Sequence, residues 1–417
     1  MNALGGDYRA WSRADSLSPS GQCGGFEFRE EVLMALKKIK TALLAGATVA
    51  SLVAIGISAS SVAAGGATSV NWAKVTHLTK SGPTSMAALV KAAKKGGKLN
   101  VVALPANWAN YGNIIKGFEK KYHIKINSEN PNGSSAAEIQ ALNSDKGRSS
   151  DPDVIDVGTS YAITAKSEGL LAPYKVQTWS EIPAGLKQAG GYWFDDYGGY
   201  VAIGCNPKTV TTCPTSFKDM LTETGANGYK IGLNDSPLTS NSALAGVLAA
   251  AVANGGSLSN VAPGVSFFAT LNKNGAFVNT IASSTTAALG TTNIIIWWDY
   301  LMANGGIAVP GWTVVVPSDV LMGEYYTQGI NSGGPDPAAA RLWEEYLYSV
   351  TGQNLWLKGG ARPAELAYMQ AHGTATKSLV AALPALPKGQ TPLFPTNQQI
   401  TAAATVVNNT WAAQVGK

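Results

Sequence analysis

The chain has 417 residues, of which 14% are charged, and a formal net charge of +5 at pH 7. The excess of positive charge is mild and forms no basic stripe or block, which argues against nucleic acid as a partner. A chain of this length exceeds one usual hydrophobic core, so we expect two lobes.

Residues 34–63 have the pattern of a signal peptide. Three lysines between positions 37 and 40 precede an uncharged, mostly apolar run over 41–57, and small residues follow up to Ala63. A membrane anchor is the alternative, but the run is short for a span of about 20 residues. We therefore expect export to a periplasmic or extracellular location, with cleavage between Ala63 and Ala64.

Residues 1–33 do not belong to that pattern. Met34 opens a well-formed signal peptide, whereas Met1 would place the signal inside the chain. We interpret 1–33 as a mis-assigned leader and Met34 as the true start.

Strand and helix alternate through the first half of the chain. A linker and a short helix occupy 64–97, with Ser85 as the helix cap and Gly96-Gly97 as its end. The segments that follow are predicted as strand 99–104, helix 114–122, strand 124–126, helix 136–142, strand 154–157 and a helix ending near 169. This spacing is typical of a parallel sheet with helices on both faces.

The alternation resumes after residue 200. Strands are predicted at 200–204, 229–233, 293–298 and 313–316, and helices at 216–224, 240–253, 338–349, 352–357 and 401–413. The fold class is therefore α/β.

Cys205 and Cys213 flank a turn-rich stretch at the end of the strand 200–204. In an oxidising compartment, a disulfide that closes this short loop is favoured over two free thiols. A metal site is the other alternative, but two cysteines without a nearby histidine supply half a site at best. We expect no metal and no cofactor.

Four stretches, in this order, resemble periplasmic solute-binding proteins of the iron(III), polyamine, thiamine and phosphonate importer group. They are a helix leading through Lys94-Lys95-Gly96 into the first strand (86–99), Asp153 to Val157 with Gly169-Leu170-Leu171 before Pro173-Tyr174, the strand 200–206 with Pro214-Thr215-Ser216-Phe217, and Pro337 to Gln353. The resemblance implies a type II periplasmic-binding fold with two lobes and a ligand cleft between them. It also implies that the protein delivers its ligand to the permease and ATPase of an ABC importer. We expect a monomer that catalyses no reaction.

With this fold we place the first lobe at 98–199 plus 310–350 and the second at 200–309 plus 351–417. In an open α/β sheet the carboxyl ends of the strands face the crevice where ligands bind. The first-lobe candidates are accordingly Asn107, Trp108, Ser134, Ser135, Ser160 and Tyr161.

Each first-lobe candidate has a structural alternative. Trp108 can pack under its own loop, and Ser135 with Glu138 fits a capping box that only stabilises the helix end. Helix N-termini near Ser134 and Ser160 attract anions through their N–H groups, which favours a carboxylate, phosphate or phosphonate.

The second-lobe candidates are Ser240 and Asn241 at a helix start, and Trp298, Asp299 and Tyr300 at the end of an apolar strand. Side chains alternate along a strand, so one of Trp297 and Trp298 belongs to the core. Asp299 beside aromatic rings suits an ammonium group through charge and cation–π contact. A helix cap is the alternative role for Asp299.

Ferric iron remains an alternative ligand. Iron-binding relatives carry adjacent tyrosines at the end of this strand, whereas the tyrosine pair here, Tyr325-Tyr326, comes later in the chain. That departure favours an organic ligand over iron.

The sequence therefore predicts the substrate-binding component of an ABC transporter, which captures a small organic amine, phosphonate or carboxylate. A ferric-binding member of the same group is one alternative. A secreted hydrolase is another, but the three histidines are scattered and no nucleophile, zinc-protease or phosphate-loop motif is present.

Overall fold

The computed structural model describes residues 69–222, 228–303 and 311–416. The predicted leader, signal peptide and cleavage site lie outside the described residues. No helix of the described residues is both long enough and apolar enough to cross a bilayer.

Helices in the described residues surround the sheets. They are α1 (Met86–Gly96), α2 (Tyr111–Tyr122), α3 (Ser135–Ser144), α4 (Thr159–Ser167), α5 (Phe217–Thr222), α6 (Asn241–Ala253), α7 (Ala262–Lys273), α8 (Ser284–Ala288), α9 (Asp299–Ala303), α10 (Pro337–Leu347), α11 (Val350–Lys358), α12 (Leu366–Ala371), α13 (Lys377–Ala381) and α14 (Asn397–Gln414). Short 3-10 turns occupy Trp72–Lys74 and Ala184–Leu186.

The strands of the described residues form two sheets. They are β1 (Lys98–Val102), β2 (Lys125–Glu129), β3 (Val154–Gly158), β4 (Leu171–Ala172), β5 (Phe194–Cys205), β6 (Ile231–Leu233), β7 (Ile294–Trp298), β8 (Thr313–Val315), β9 (Gly323–Asn331) and β10 (Arg362–Pro363). β1 and β2 pair in parallel, and the larger sheet has the order β3-β9-β5-β7-β6, with β4, β8 and β10 attached at its sides.

β5 is the long strand that connects the two parts of the larger sheet. Its first part pairs with β9 as far as Tyr200, and its second part, from Val201, pairs with β7 and β8. The pairings of β9 with β3 and β5, and of β5 with β7, are antiparallel. The expected parallel arrangement is therefore wrong for β3, β5, β7 and β9. β5 and β9 are neighbours that run in opposite directions, and each pairs antiparallel with its other partner as well.

The predicted ends of α1 are confirmed. The Ser85 hydroxyl accepts a hydrogen bond from the Ala88 N–H, and Gly97 ends the helix in the left-handed region with a φ of 75°. Glycine adopts this conformation without the steric penalty of a Cβ. The helix packs on α10 and positions β1, which follows it directly.

The predicted disulfide is present in the structure. Cys205, the last residue of β5, is bonded to Cys213, and the two Cα atoms are 5.7 Å apart. The bond closes the short connection between the crossing strand and α5.

The lobe boundaries stay a prediction. Trp356 of α11, which they assign to the second lobe, stacks on Tyr197 with ring centroids 4.3 Å apart. It also contacts the Tyr111 ring edge-on at 5.0 Å. Both tyrosines lie within the predicted first lobe, so the last third of the chain contributes to the packing of both parts.

Candidate functional site

A cleft with a volume of about 370 Å³ lies where several element ends meet. Ser134 and Ser240 stand at the N-termini of α3 and α6, and Asp156, Trp297 and Tyr326 lie on β3, β7 and β9. The described residues that line it are Ala103, Pro105, 107–108, 132–135, Glu138, Asp156, Tyr161, 234–235, 239–242, Trp297, Leu301 and Tyr326.

Two acidic side chains lie deep in this cleft. The carboxylate of Glu138 accepts a hydrogen bond of 2.9 Å from the backbone N–H of Asp156, and both residues are at most 5% exposed. Burial raises the pKa of Asp156 to about 7, although hydrogen bonds from Tyr111 and Tyr197 oppose this shift. Burial and the neighbouring Asp156 raise the pKa of Glu138 well above its ordinary value.

A chain of hydrogen bonds fixes Asp156 and the aromatic wall beside it. The Trp108 indole N–H donates to the Tyr197 hydroxyl over 2.8 Å. That hydroxyl and the Tyr111 hydroxyl then donate to Oδ2 of Asp156 over 3.1 and 2.5 Å. Because Oδ2 receives both bonds, Oδ1 is the oxygen left to interact with a ligand.

Aromatic rings surround the entrance to these acids. Trp108 packs edge-on against Trp297 at 5.7 Å and against Tyr326 at 5.6 Å between ring centroids. Tyr161 also lines the cleft. Such rings offer faces that attract cations.

The opposite wall is polar. The Asn234 amide donates to the Ser242 hydroxyl over 2.7 Å, and that hydroxyl is 3.0 Å from the hydroxyl of Ser240. The Asn241 amide donates to the buried carboxylate of Glu324 on β9. Asp235 adds a third carboxylate to the cleft lining.

Three buried polar atoms of the cleft lining lack a hydrogen-bond partner among the residues that the structure describes. They are Oδ1 of Asp156, Oδ1 of Asn234 and Nε1 of Trp297. Buried polar groups of folded proteins are normally paired, so each is a candidate ligand contact. Two of these atoms accept hydrogen bonds and one donates.

The structure brings seven of the predicted ligand-binding residues together in the cleft. They are Asn107, Trp108, Ser134, Ser135, Tyr161, Ser240 and Asn241. Ser160 instead lines an adjoining cavity, here called the side chamber, between α4, the segment 237–244 and α14. Contact of these eight residues with a ligand stays a prediction.

The capping role of Ser135 is wrong. The cap of α3 is Ser134, whose hydroxyl accepts from the Ala137 N–H. The Ser135 hydroxyl accepts from the N–H of Gly158 at the end of β3, and Glu138 bonds β3 instead of the helix start. The sequence spacing fits a capping box, but tertiary packing directs both side chains toward β3.

The structure also corrects the placement of Trp298, Asp299 and Tyr300. All three are at most 1% exposed and lie outside the cleft lining. Strand alternation points Trp297 into the cleft and Trp298 into the core. The Asp299 carboxylate forms a buried ion pair with Arg362 and accepts from the backbone N–H of Tyr200 and of Tyr300.

The sequence analysis did not identify the acidic residues of the cleft. Two of them could have been found from their positions relative to predicted strands. Asp156 is the central residue of β3, two residues before its end, and Asp235 follows β6 by two residues, so both stand near carboxyl ends of strands. Glu138 had no such signal, because its helical position alone does not show that it faces β3.

The tyrosine pair considered for iron is split. Tyr326 lines the cleft, whereas Tyr325 packs against Phe394 with ring centroids 5.9 Å apart. Adjacent residues of β9 point to opposite faces, which separates the two phenols. Within the described residues, no group of three or more His, Cys, Asp or Glu side chains has the arrangement of a metal site.

Comparisons with known proteins agree with this architecture. A family model described as bacterial extracellular solute-binding protein matches residues 150–401. A search of the curated proteins gives no match.

Several solved structures share the fold. The periplasmic binding protein AfuA from Actinobacillus pleuropneumoniae, with fructose-6-phosphate bound, has 19% identity and a TM-score of 0.60, over 76% of this chain and 98% of its own. AgtB from A. tumefaciens R10, in complex with agropinic acid, has 11% identity and a TM-score of 0.58, over 77% and 99%. A ferric binding protein from Campylobacter jejuni has 17% identity and a TM-score of 0.54, over 75% and 98%. These likenesses confirm the predicted two-lobed fold of type II periplasmic binding proteins.

Proposed function

The chain belongs to the family of bacterial extracellular solute-binding proteins, and from that premise we propose that its cleft captures a small organic amine for an ABC importer. Members of such families bind small solutes and deliver them to a membrane permease and its ATPase. We further propose that the protein is exported with cleavage near Ala63 and that it catalyses no reaction.

The observation that carries the amine is the acidic lining of the cleft. Its described lining contains the carboxylates of Glu138, Asp156 and Asp235 and no Lys, Arg or His. An ammonium group would pair with the unpaired Oδ1 of Asp156, and its positive charge would favour the ionised form that burial disfavours. The adjacent faces of Trp108, Trp297 and Tyr326 add cation–π attraction.

An anionic ligand group has weaker support. Glu138 lies on the same helix as Ser134 and Ser135 and lines the same cleft. A carboxylate or phosphate placed there would be repelled by Glu138 and Asp156 when they are ionised. The ligands of the structural relatives differ from one another, so the fold does not select among them.

Iron also has weaker support. Burial raises the pKa of the Tyr326 hydroxyl well above its ordinary value, and the negative charge of Glu324 raises it further. A phenolate at this position is therefore unfavourable, and Tyr325 does not face the cleft.

Titration calorimetry against primary amines, quaternary amines, sugar phosphates, carboxylates and ferric citrate tests the proposal. We expect saturable binding of an amine. Asp156→Asn should weaken it about 10- to 150-fold, because a hydrogen bond to a charged group contributes about 1.5–3 kcal/mol. Affinity should also fall as the pH drops below about 7, where Asp156 gains a proton.

Asp195→Asn is the matched control. Asp195 is another buried acid, bonded to the Thr327 hydroxyl over 2.6 Å, but it does not line the cleft. This variant should bind the amine as the wild type does. Binding of anions or ferric ion alone, or equal loss in both variants, would contradict the amine assignment, and steady turnover of a bound compound would contradict the receptor role.

A further inference from the structure

The side chamber is a second cavity of about 230 Å³ beside the cleft. Its walls come from three places: Ser160 to Thr164 of α4, the segment 237–244, and the first two turns of α14. The helix α14 contacts both α4 and α6, so its packing forms the outer wall of the chamber.

The chamber adjoins the cleft. Tyr161, Thr239, Ser240 and Asn241 line both cavities. A ligand in the cleft that reaches these four residues therefore lies directly beside the chamber.

The chemistry of the chamber differs from that of the cleft. Its described lining has no Asp, Glu, Lys, Arg or His. Leu244 and Ile400 are at most 9% exposed and form its apolar part together with Ala404, while hydroxyls such as those of Thr164 and Thr401 line the remainder. An uncharged group fits this lining, whereas a second ammonium there would lack a carboxylate partner.

The volume of the side chamber favours one ligand that extends into it from the cleft, rather than a second, separate ligand site. At about 230 Å³ the chamber lies below the range of roughly 300–1,000 Å³ for sites of drug-sized ligands, whereas the cleft lies inside it. Building on the proposed function, we propose that the solute is an amine with an uncharged, largely apolar tail, whose ammonium binds in the cleft and whose tail occupies the side chamber.

A series of primary amines tests this inference: propylamine, 6-amino-1-hexanol and 1,6-diaminohexane, titrated by calorimetry. Burial of each added methylene should increase affinity about fourfold until the chamber is filled. The amino alcohol should therefore bind at least tenfold more tightly than propylamine, and the diamine should gain less because its second ammonium enters an uncharged chamber.

Two variants fill the chamber, Thr401→Trp and Ala404→Phe. Each should reduce the affinity for the amino alcohol at least tenfold and leave propylamine binding unchanged. Thr405→Trp is the matched control, because Thr405 is exposed on the same helix one turn away and does not line the chamber. Melting temperatures of all three variants identify any that fails to fold. If one of the two filling variants does not fold, the other still tests the inference.

The possible outcomes separate this inference from the proposed function. If the amines bind with equal affinity, or if the filling variants weaken both amines alike, the side chamber does not take the tail, while the amine-binding role stands. If the diamine binds more tightly than the amino alcohol, the chamber accepts charge and the inference is wrong. If no amine binds the wild type, the proposed function fails and this inference fails with it.

Discussion

At the scale of single residues, Asp299 and Arg362 place two charged groups in the core as a buried ion pair. Neither residue is more than 6% exposed, and Arg362 also donates to the Pro384 carbonyl over 2.9 Å. Its guanidinium lies 5.0 Å from the centre of the Tyr200 ring. A Cβ at Gly199 would collide with Asp299 and Tyr300, so glycine is required where β5 passes this pair.

Replacement of one partner should be costly. Arg362→Met leaves the Asp299 carboxylate buried without a counter-charge, and we expect the free energy of unfolding to fall by about 3–5 kcal/mol. Urea denaturation monitored by tryptophan fluorescence measures it. Arg148→Met is the control, because that arginine pairs with Asp145 while its side chain is 68% exposed, and its loss should cost below about 1 kcal/mol. Equal costs would show that Asp299 and Arg362 are not an effective pair.

At the scale of elements, the crossing strand β5 joins the two parts of the larger sheet, and the disulfide secures its end. The pair Asp195/Tyr197 marks an irregularity in the register with β9. At its last residue, β5 is attached to Cys213 eight positions later. The disulfide therefore restrains the loop between β5 and α5, away from the cleft.

Removal of this disulfide should have a modest effect. For a loop of this length the chain-entropy model gives about 2.5 kcal/mol, so the double variant Cys205→Ala/Cys213→Ala should unfold at correspondingly lower urea concentration. Amine binding should be unchanged, because neither cysteine lines the cleft. Alkylation followed by intact mass measurement on unreduced wild type should detect no free thiol at these positions. Two modified thiols would contradict the pairing.

At the scale of the whole molecule, many acids are buried. Burial raises the pKa of Asp153 and of Glu345 to about 7, and that of Asp195 and of Glu365 to about 8. These groups bind protons more tightly in the folded chain than in the unfolded chain, where carboxyl groups titrate near pH 4. Their contribution to stability is complete below about pH 4 and is lost as the pH rises through about 7 to 8.

The protein should therefore become less stable between pH 5 and pH 8. Each proton retained only by the folded state adds a slope of about 1.4 kcal/mol per pH unit. Glu345→Gln keeps an oxygen that can accept from Tyr174 and removes one titrating group, so the slope should decrease by about one proton. Urea midpoints at several pH values measure this. Stability that is constant or rises with pH would contradict it.

Periodicity and helix caps are local features, so many of the helices and strands could be predicted from the sequence. The predicted helix 240–253 corresponds to α6, the apolar strand 293–298 to β7, and Ser85 with Gly97 to the ends of α1. The returning strand β9 and the first half of β5 were not predicted, since their polar and glycine-rich sequences lack a clear alternation.

Which side chains share the cleft depends on tertiary packing and could not be predicted from local patterns. Trp297 and Trp298 are adjacent in β7, but the first lines the cleft and the second lies in the core. An uninterrupted run of apolar residues does not show which face of a strand is which. Asp299 pairs with Arg362, a residue 63 positions away, so no local pattern could show that its charge is already neutralised. The acids that favour an amine come from α3, β3 and the end of β6, and packing over long sequence distances brings them together.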